Sequence, residues 1–164
     1  MKKIVKISKL IDPFKKVLEI EGDKSLSIRW VLLSSQAQGK STSKNLLKSE
    51  DVINSIRCIK KLGIKTKLKK DSCIIYGKGI NNFNYTKKVY LNAGNSGTLG
   101  RLILGLLVHA KNEITIKGDA SLSKRDFSRV TIPLGKFGAK FKTNQGRLPV
   151  TVEGTKNPRV IKFF

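Results

Sequence analysis

The sequence predicts an α+β fold built from two copies of a two-layer βαβαββ unit, with helices packed inside and sheets outside. Three observations carry this. Short β-branched runs alternate with longer helical runs along most of the chain. Leu62-Gly63-Ile64-Lys65-Thr66-Lys67 matches Phe137-Gly138-Ala139-Lys140-Phe141-Lys142 further along, and at nearly the same offset Ile74–Gly77 meets Thr151–Gly154 and Ser25-Leu26 meets Thr98-Leu99. Trp30–Leu33 and Leu102–Val108 are apolar around most of a helical circumference, as expected of helices enclosed by a domain.

In the first unit a short strand near Val17–Ile20 leads into a glycine turn and a helix over Ser25–Ala37. A strand follows at Thr42–Leu46. Helix Asp51–Leu62 carries Val52, Ile56 and Ile59 at i, i+4 and i+7, with Asp51 placed as its cap. Two strands come next, at Ile64–Leu68 and Cys73–Tyr76, and Gly77–Lys88, rich in Gly, Asn and Lys, is a loop. The second unit repeats the order. It has a strand at Val89–Leu91, a helix over Thr98–Ala110 and a strand at Ile114–Ile116. A helix through Val130 and Phe137 follows, kinked by Pro133, and strands at Ala139–Lys142 and Leu148–Val152 close the unit.

The 34 basic and 11 acidic side chains give a net charge of +23, which raises the question of a nucleic-acid partner. Their distribution argues for no nucleic acid: the cations are spread evenly along the chain, and Lys outnumbers Arg 27 to 7. Base-edge readout and phosphate forks favour arginine, so the lysines read as solvated faces. Cys58 and Cys73 lie among apolar neighbours, outside any redox or metal spacing, and read as buried thiols of a reducing compartment. With His109 as the single histidine, no metal site and no cofactor is expected. The N-terminus has no apolar core before a small-residue cleavage site, and Leu102–Val108 is too short for a bilayer. A soluble cytoplasmic protein without membrane partners is expected.

Three segments carry chemistry: Gly22-Asp23-Lys24-Ser25-Leu26-Ser27-Ile28-Arg29, Gly94-Asn95-Ser96-Gly97-Thr98-Leu99-Gly100-Arg101 and Gly118-Asp119-Ala120-Ser121-Leu122-Ser123-Lys124-Arg125. Each joins a glycine turn to hydroxyl residues and a cation, and the first two run into an apolar helix. Glycine admits close backbone approach, helix-start amides point outward, and Lys or Arg supplies countercharge. Together they read as a cleft for a multiply anionic small molecule. Gly39-Lys40-Ser41 is a Walker-like fragment without its first glycine, since Ser34 stands there. His109, ending an apolar helix, reads as packing, and Asp23 and Asp119 as turn-stabilising carboxylates.

These three motifs, in this order and at these spacings, resemble those of the enolpyruvyl transferases, within them the EPSP synthase branch, from about Phe14 onward. The resemblance implies that residues 14–164 are part of an N-terminal domain, two of its three βαβαββ units. Residues 1–13 would belong with a second domain, and the Ser-Ala-Gln signature would be expected beyond Phe164. It also implies the activity: the 5-hydroxyl of shikimate 3-phosphate attacks C2 of phosphoenolpyruvate, C3 is protonated and phosphate leaves, a step toward chorismate and the aromatic amino acids. The complete enzyme would be a monomer needing no cofactor, and this chain alone would be inactive.

Carried over by motif, Lys24 contacts both substrates near the reacting centre, and Ser25 and Arg29 bind shikimate 3-phosphate. Gly97 offers its backbone to phosphoenolpyruvate in a loop shaped by Asn95 and Thr98, and Arg125 grips that substrate directly. Arg101 matches a family arginine and reads as structural. The acid and base groups are not in this chain. Two residues depart from the family pattern, both where proline is usual. Asp126 either pairs with Arg125 or caps the next helix, and Glu21 brings a negative charge near the site. The rival readings are a UDP-N-acetylglucosamine enolpyruvyl transferase, against which Lys24-Ser25 argues, and a non-catalytic basic nucleic-acid module.

Overall fold

The computed structural model describes residues 6, 8–10, 13, 15–18, 20–85 and 88–162. In the first half, helix α1 (Lys24–Gln36) is followed by β1 (Gln38–Lys44), α2 (Glu50–Lys61), β2 (Lys65–Leu68) and β3 (Ser72–Lys78). The strands form an antiparallel sheet in the order β1-β3-β2. The second half contains β4 (Val89–Asn92), α3 (Gly97–Leu106), β5 (Ile114–Lys117), α4 (Ala120–Ser123), α5 (Ser128–Phe137), β6 (Lys140–Asn144) and β7 (Arg147–Glu153). Its sheet has the order β4-β5-β7-β6, with β4 and β5 parallel. The first residues of β2 and β6, Lys65 and Lys140, are separated by the same stretch of chain as those of β3 and β7, Ser72 and Arg147. The order β5-β7-β6 reproduces β1-β3-β2, so the repeat read from sequence is a repeat of topology.

Alternation on β4 and β7 buries Val89, Leu91, Leu148, Val150 and Val152 on one face and leaves the other to solvent. Helices cover the buried faces. α1 packs on α2, β3 and α3, so the helical layers of the two halves meet. One continuous core results, with Ile28 and Val31 of α1, Val52 and Ile59 of α2, Leu99 and Ile103 of α3, and Ile114 and Ile116 of β5. Burying each such side chain contributes about 1.5–3 kcal/mol. The helices-inside expectation holds, with one qualification. Leu26 and Leu33 on α1 are 68% and 65% exposed and Trp30 is half-buried, so a face of that helix lies open. α5 runs through Pro133.

Several boundaries differ from expectation. Val17, Leu18 and Ile20 form no strand and are exposed, and Glu19 lies outside the described residues, as does Phe14. β1 (Gln-Gly-Lys-Ser-Thr-Ser-Lys) pairs with β3 and with no other strand among the described residues. β1 itself begins at Gln38, paired to Lys78, and ends before Asn45, whose φ of +53° breaks the strand. Leu46 and Leu47 then turn inward against the core. Asp51 is not the cap of α2: Ser49 holds that position and Asp51 lies in the first turn. α3 stops at Leu106 rather than Ala110, because the chain tightens into i→i−3 turns there. Gly154 packs directly on the backbone of Ala110. Among the described residues no helix is long and apolar enough to cross a membrane, and no group of His, Cys, Asp and Glu could hold a metal.

Candidate anion-binding wall

The start of α1 is held from behind. A Cβ on Gly22 would strike the carbonyl oxygen of Asn45, so only glycine lets the turn lie against the loop after β1. Asp23 is the N-cap, its Oδ1 accepting the Leu26 N–H at 2.7 Å, and Ser27 Oγ accepts from Leu47 N at 3.2 Å. Because Asp23 takes the cap, the Ser25 hydroxyl is not committed to it. Arg29, exposed, donates Nη1 to the Ser25 carbonyl at 3.2 Å, which places the guanidinium on the same helix face as Ser25. Lys24 Nζ lies 3.3 Å from Asp51 at the head of α2.

The second motif is built the same way. Asn92 Oδ1 accepts from Gly94 N at 2.9 Å, and Ser96 caps α3 through the Leu99 N–H at 3.2 Å. A Cβ on Gly97 would lie 3.0 Å from Arg101 Nη1 and 3.0 Å from Arg125 Nη1. Two guanidinium groups therefore converge on the backbone of the first residue of α3, where outward amides already favour an anion. Arg101 is aimed by the Phe127 ring, 5.2 Å beneath it, and by the Asp126 carbonyl, which accepts Nη2 at 2.9 Å. Arg125 donates Nη2 to Asn95 Oδ1 at 3.0 Å, and Asn95 Nδ2 donates to Asp119 Oδ2 at 2.7 Å.

Asp119 caps α4 through the Leu122 N–H at 2.7 Å. That bond first, and then the Asn95 amide, hold its carboxyl below the ordinary 3.8. Asp126 does not pair with Arg125, and it stands one residue before Phe127, the N-cap position of α5. Its Oδ1 accepts from Ser128 N at 2.7 Å at the head of α5, while Arg125 turns to Asn95. The Ser128 backbone is the largest cause of its lowered pKa.

The structure thus brings Asn95, Gly97 and Arg125 together as the sequence anticipated, with Thr98 in the first turn of the same helix. It adds Asp51 and Asn54, and it brings Arg101, read from sequence as structural, to the same point. Arg101 stands as close to Gly97 as Arg125 does. Asp51 holds Lys24, and Asn54, one turn further along α2, is the side chain that a Cβ on Gly94 would strike, so α2 links the first motif to the second. The traceable signal for Asn54 is a polar residue, only 6% exposed, among the buried residues of a helix. Arg101 was visible as the cation of the second motif; only its approach to Gly97 was not. Glu21 lines a cavity of about 360 Å³ with Lys44, Lys48, Lys70 and Asp71, a cavity that Lys24, Arg29, Gly97 and Arg125 do not line. His109 is a packing residue, with Nδ1 3.1 Å from the Thr155 carbonyl and its ring edge-on to Phe137. Gly39-Lys40-Ser41 lies within β1 and forms no phosphate loop. Cys58 and Cys73 are buried free thiols.

Known proteins share this sequence pattern and fold. The family model described as EPSP synthase (3-phosphoshikimate 1-carboxyvinyltransferase) matches residues 9–164. A 3-phosphoshikimate 1-carboxyvinyltransferase of Thermoanaerobacter sp. (strain X514) is 41% identical over 143 residues, covering 87% of this chain and 33% of that protein. One from Streptococcus suis (strain 98HAH33) is 36% identical over 161 residues, covering 97% and 38%. A solved EPSP synthase from Acinetobacter baumannii superposes with a TM-score of 0.83 at 31% identity, over 89% of this chain and 33% of that one. The chain spans about a third of the length of the relatives it matches.

Proposed function

We propose, since the chain belongs to the EPSP synthase (3-phosphoshikimate 1-carboxyvinyltransferase) family, that it supplies one wall of the site where phosphoenolpyruvate meets shikimate 3-phosphate. In this reading residues 14–164 are two units of an N-terminal domain. The complete enzyme transfers the carboxyvinyl group to the 5-hydroxyl and releases phosphate. The observation that carries the reading is the pair of guanidinium groups that converge on the Gly97 backbone, each with an Nη1 3.0 Å from where a Cβ there would lie.

Residue by residue, Gly97 and Arg125 hold phosphoenolpyruvate, with Asn95 and Thr98 shaping the loop and Arg101 sharing the anion. Ser25 and Arg29 hold shikimate 3-phosphate, and Lys24, released from Asp51, reaches both. Binding two polyanions side by side is the main task, because fixing the attacking hydroxyl against C2 converts a bimolecular encounter into an oriented one. Lys24, Asn95 and Arg125 are all solvent-exposed here. An open wall neither excludes water nor sets an acid against C3, so these residues alone bind without turning over.

The test is a titration of the isotope-labelled chain by NMR. Shikimate 3-phosphate is expected to shift amides of Lys24–Arg29, and phosphoenolpyruvate those of Asn95–Thr98, both persisting at moderate salt. The reading is overturned if neither ligand moves these amides at millimolar concentration while a single-stranded oligonucleotide binds with steep salt dependence.

A further inference from the structure

Arg125 ends in a long side chain that water would leave free, yet its guanidinium is tied at one point, to Asn95. An amide has one face that accepts and one that donates, and an asparagine on a surface loop has no intrinsic reason to present the accepting face to a cation. The reason here lies in Asp119, on the turn that follows β5. An ionised carboxylate only accepts, so it takes the Asn95 Nδ2 donor at 2.7 Å and leaves Oδ1 facing Arg125. A guanidinium only donates, so the sequence carboxylate, amide, guanidinium can be satisfied in one polarity alone.

Asp119 is itself rigidly placed. Its N–H donates to the Gly94 carbonyl at 2.9 Å, its carbonyl accepts from Ser123 at 2.9 Å, and its Oδ1 caps α4. The same donors that fix it also favour its ionised form, as its lowered pKa records. The interposed amide has an electrostatic use as well. A carboxylate bonded directly to Arg125 would neutralise the charge an anionic ligand needs. Placing a neutral amide between them keeps the negative group one residue further from the ligand while still passing on orientation.

We propose that Asp119 is a positioning residue, which sets the polarity of the Asn95 amide and through it holds Arg125 over Gly97. The proposal rests on the reading that Arg125 meets the phosphoenolpyruvate anion. It gives the third motif a role beyond capping: β5–α4 orients a side chain of the β4–α3 loop and a cation just past α4.

The experiment uses three variants of the chain: Asp119→Asn, Asn95→Asp and the double exchange. Asparagine still caps α4 with its oxygen, so Asp119→Asn should retain its melting transition. It then presents an N–H₂ to Asn95, whose own N–H₂ must turn toward Arg125. The expected result is loss of order at the Arg125 Nε–Hε group, read by its heteronuclear NOE without ligand. A fall of about tenfold in phosphoenolpyruvate affinity should accompany it, with shikimate 3-phosphate affinity kept within about twofold. In the double exchange the amide and the carboxylate trade places. The amide on the α4 turn donates to the carboxylate on the β4–α3 loop, which accepts from Arg125, so order at Arg125 returns. Affinity for phosphoenolpyruvate stays low, because the negative charge now touches the arginine. In Asn95→Asp alone two carboxylates face each other, and their repulsion should lower the melting transition below that of the double exchange.

A folded Asp119→Asn chain with Arg125 as ordered as before overturns the proposal. So does a double exchange that leaves Arg125 disordered, and so does an Asp119→Asn chain that has lost its melting transition, since that makes the role purely structural. If the unaltered chain binds no phosphoenolpyruvate, the functional reading fails, and the Arg125 signal still decides the positioning role.

Discussion

Substituting Gly97 separates the folding role of the second motif from its binding role. The residue opens α3 and does not have a positive φ, so the Gly97→Ala backbone is unstrained. The new Cβ would meet Leu122 Cδ1 at an ordinary 3.8 Å but Arg101 Nη1 and Arg125 Nη1 at 3.0 Å each. That is about 0.5 Å inside a comfortable contact, so both guanidinium tips must retreat by a few tenths of an ångström. Such tips move cheaply, and alanine gains up to about 1 kcal/mol of helix propensity over glycine. The unfolding free energy should therefore stay within about 1 kcal/mol of the original in urea titration. Binding should respond differently. The methyl occupies the space between the two cations, and losing one charge-assisted hydrogen bond costs about 1.5–3 kcal/mol, or roughly a 10- to 100-fold loss of affinity. Parallel titrations with phosphoenolpyruvate and shikimate 3-phosphate, followed at Asn95–Thr98 and Lys24–Arg29, make the comparison. Equal weakening of both ligands would refute the assignment of Gly97 to phosphoenolpyruvate.

Two further outcomes follow from named contacts. The Lys24–Asp51 pair is 3.3 Å apart with Lys24 53% exposed, so Asp51→Asn should change stability by less than about 1 kcal/mol. Freed of its counter-ion, Lys24 should bind shikimate 3-phosphate about two- to threefold more tightly in the same titration, and weaker binding would mean that Asp51 aims the lysine rather than restrains it. Burial, only partly offset by the Lys61 ammonium and the Asn92 backbone, pushes the Cys58 thiol up from 9.0 to about 11. A raised folded-state value gives stability that is full below pH 9 and lost as pH rises toward 11. The loss is about 2–3 kcal/mol between those limits. Denaturant midpoints should fall more steeply over that window for the natural chain than for Cys58→Ala, and Ellman's reagent should titrate both cysteines only after unfolding.

Much of the fold was legible because the information is short-range. Apolar spacing on α2 and alternation on β5 and β7 declare themselves within a turn or a few residues. The duplicated Gly-Ile-Lys and Gly-Ala-Lys strings marked β2 and β6 directly. The failures have long-range causes. The Val17–Ile20 run looks like Val89–Leu91, but a strand exists only with a paired neighbour: β4 has β5, and among the described residues Val17, Leu18 and Ile20 have none. The cap of α2 was misplaced because Ser49, Glu50 and Asp51 are adjacent polar residues, each able to open a helix. What moved Asp51 into the first turn is the helix start at Glu50, and its partner Lys24 belongs to a different helix, α1.

The candidate site divides along the same line. Local sequence specifies which residues can make an anion seat: glycines where the backbone must come close, the caps Asp23 and Asp119, and the cations Lys24, Arg29 and Arg125. Such properties belong to one residue and its nearest neighbours. Which cations act together is settled only in the folded chain. Arg101 is aimed by a ring and a carbonyl from the segment that leads into α5, and Arg125 by an amide of the β4–α3 loop. A guanidinium on a long flexible stem has no preferred direction until packing and hydrogen bonds from distant segments provide one. So the motifs named the seat, and the fold chose the two arginines that converge on Gly97.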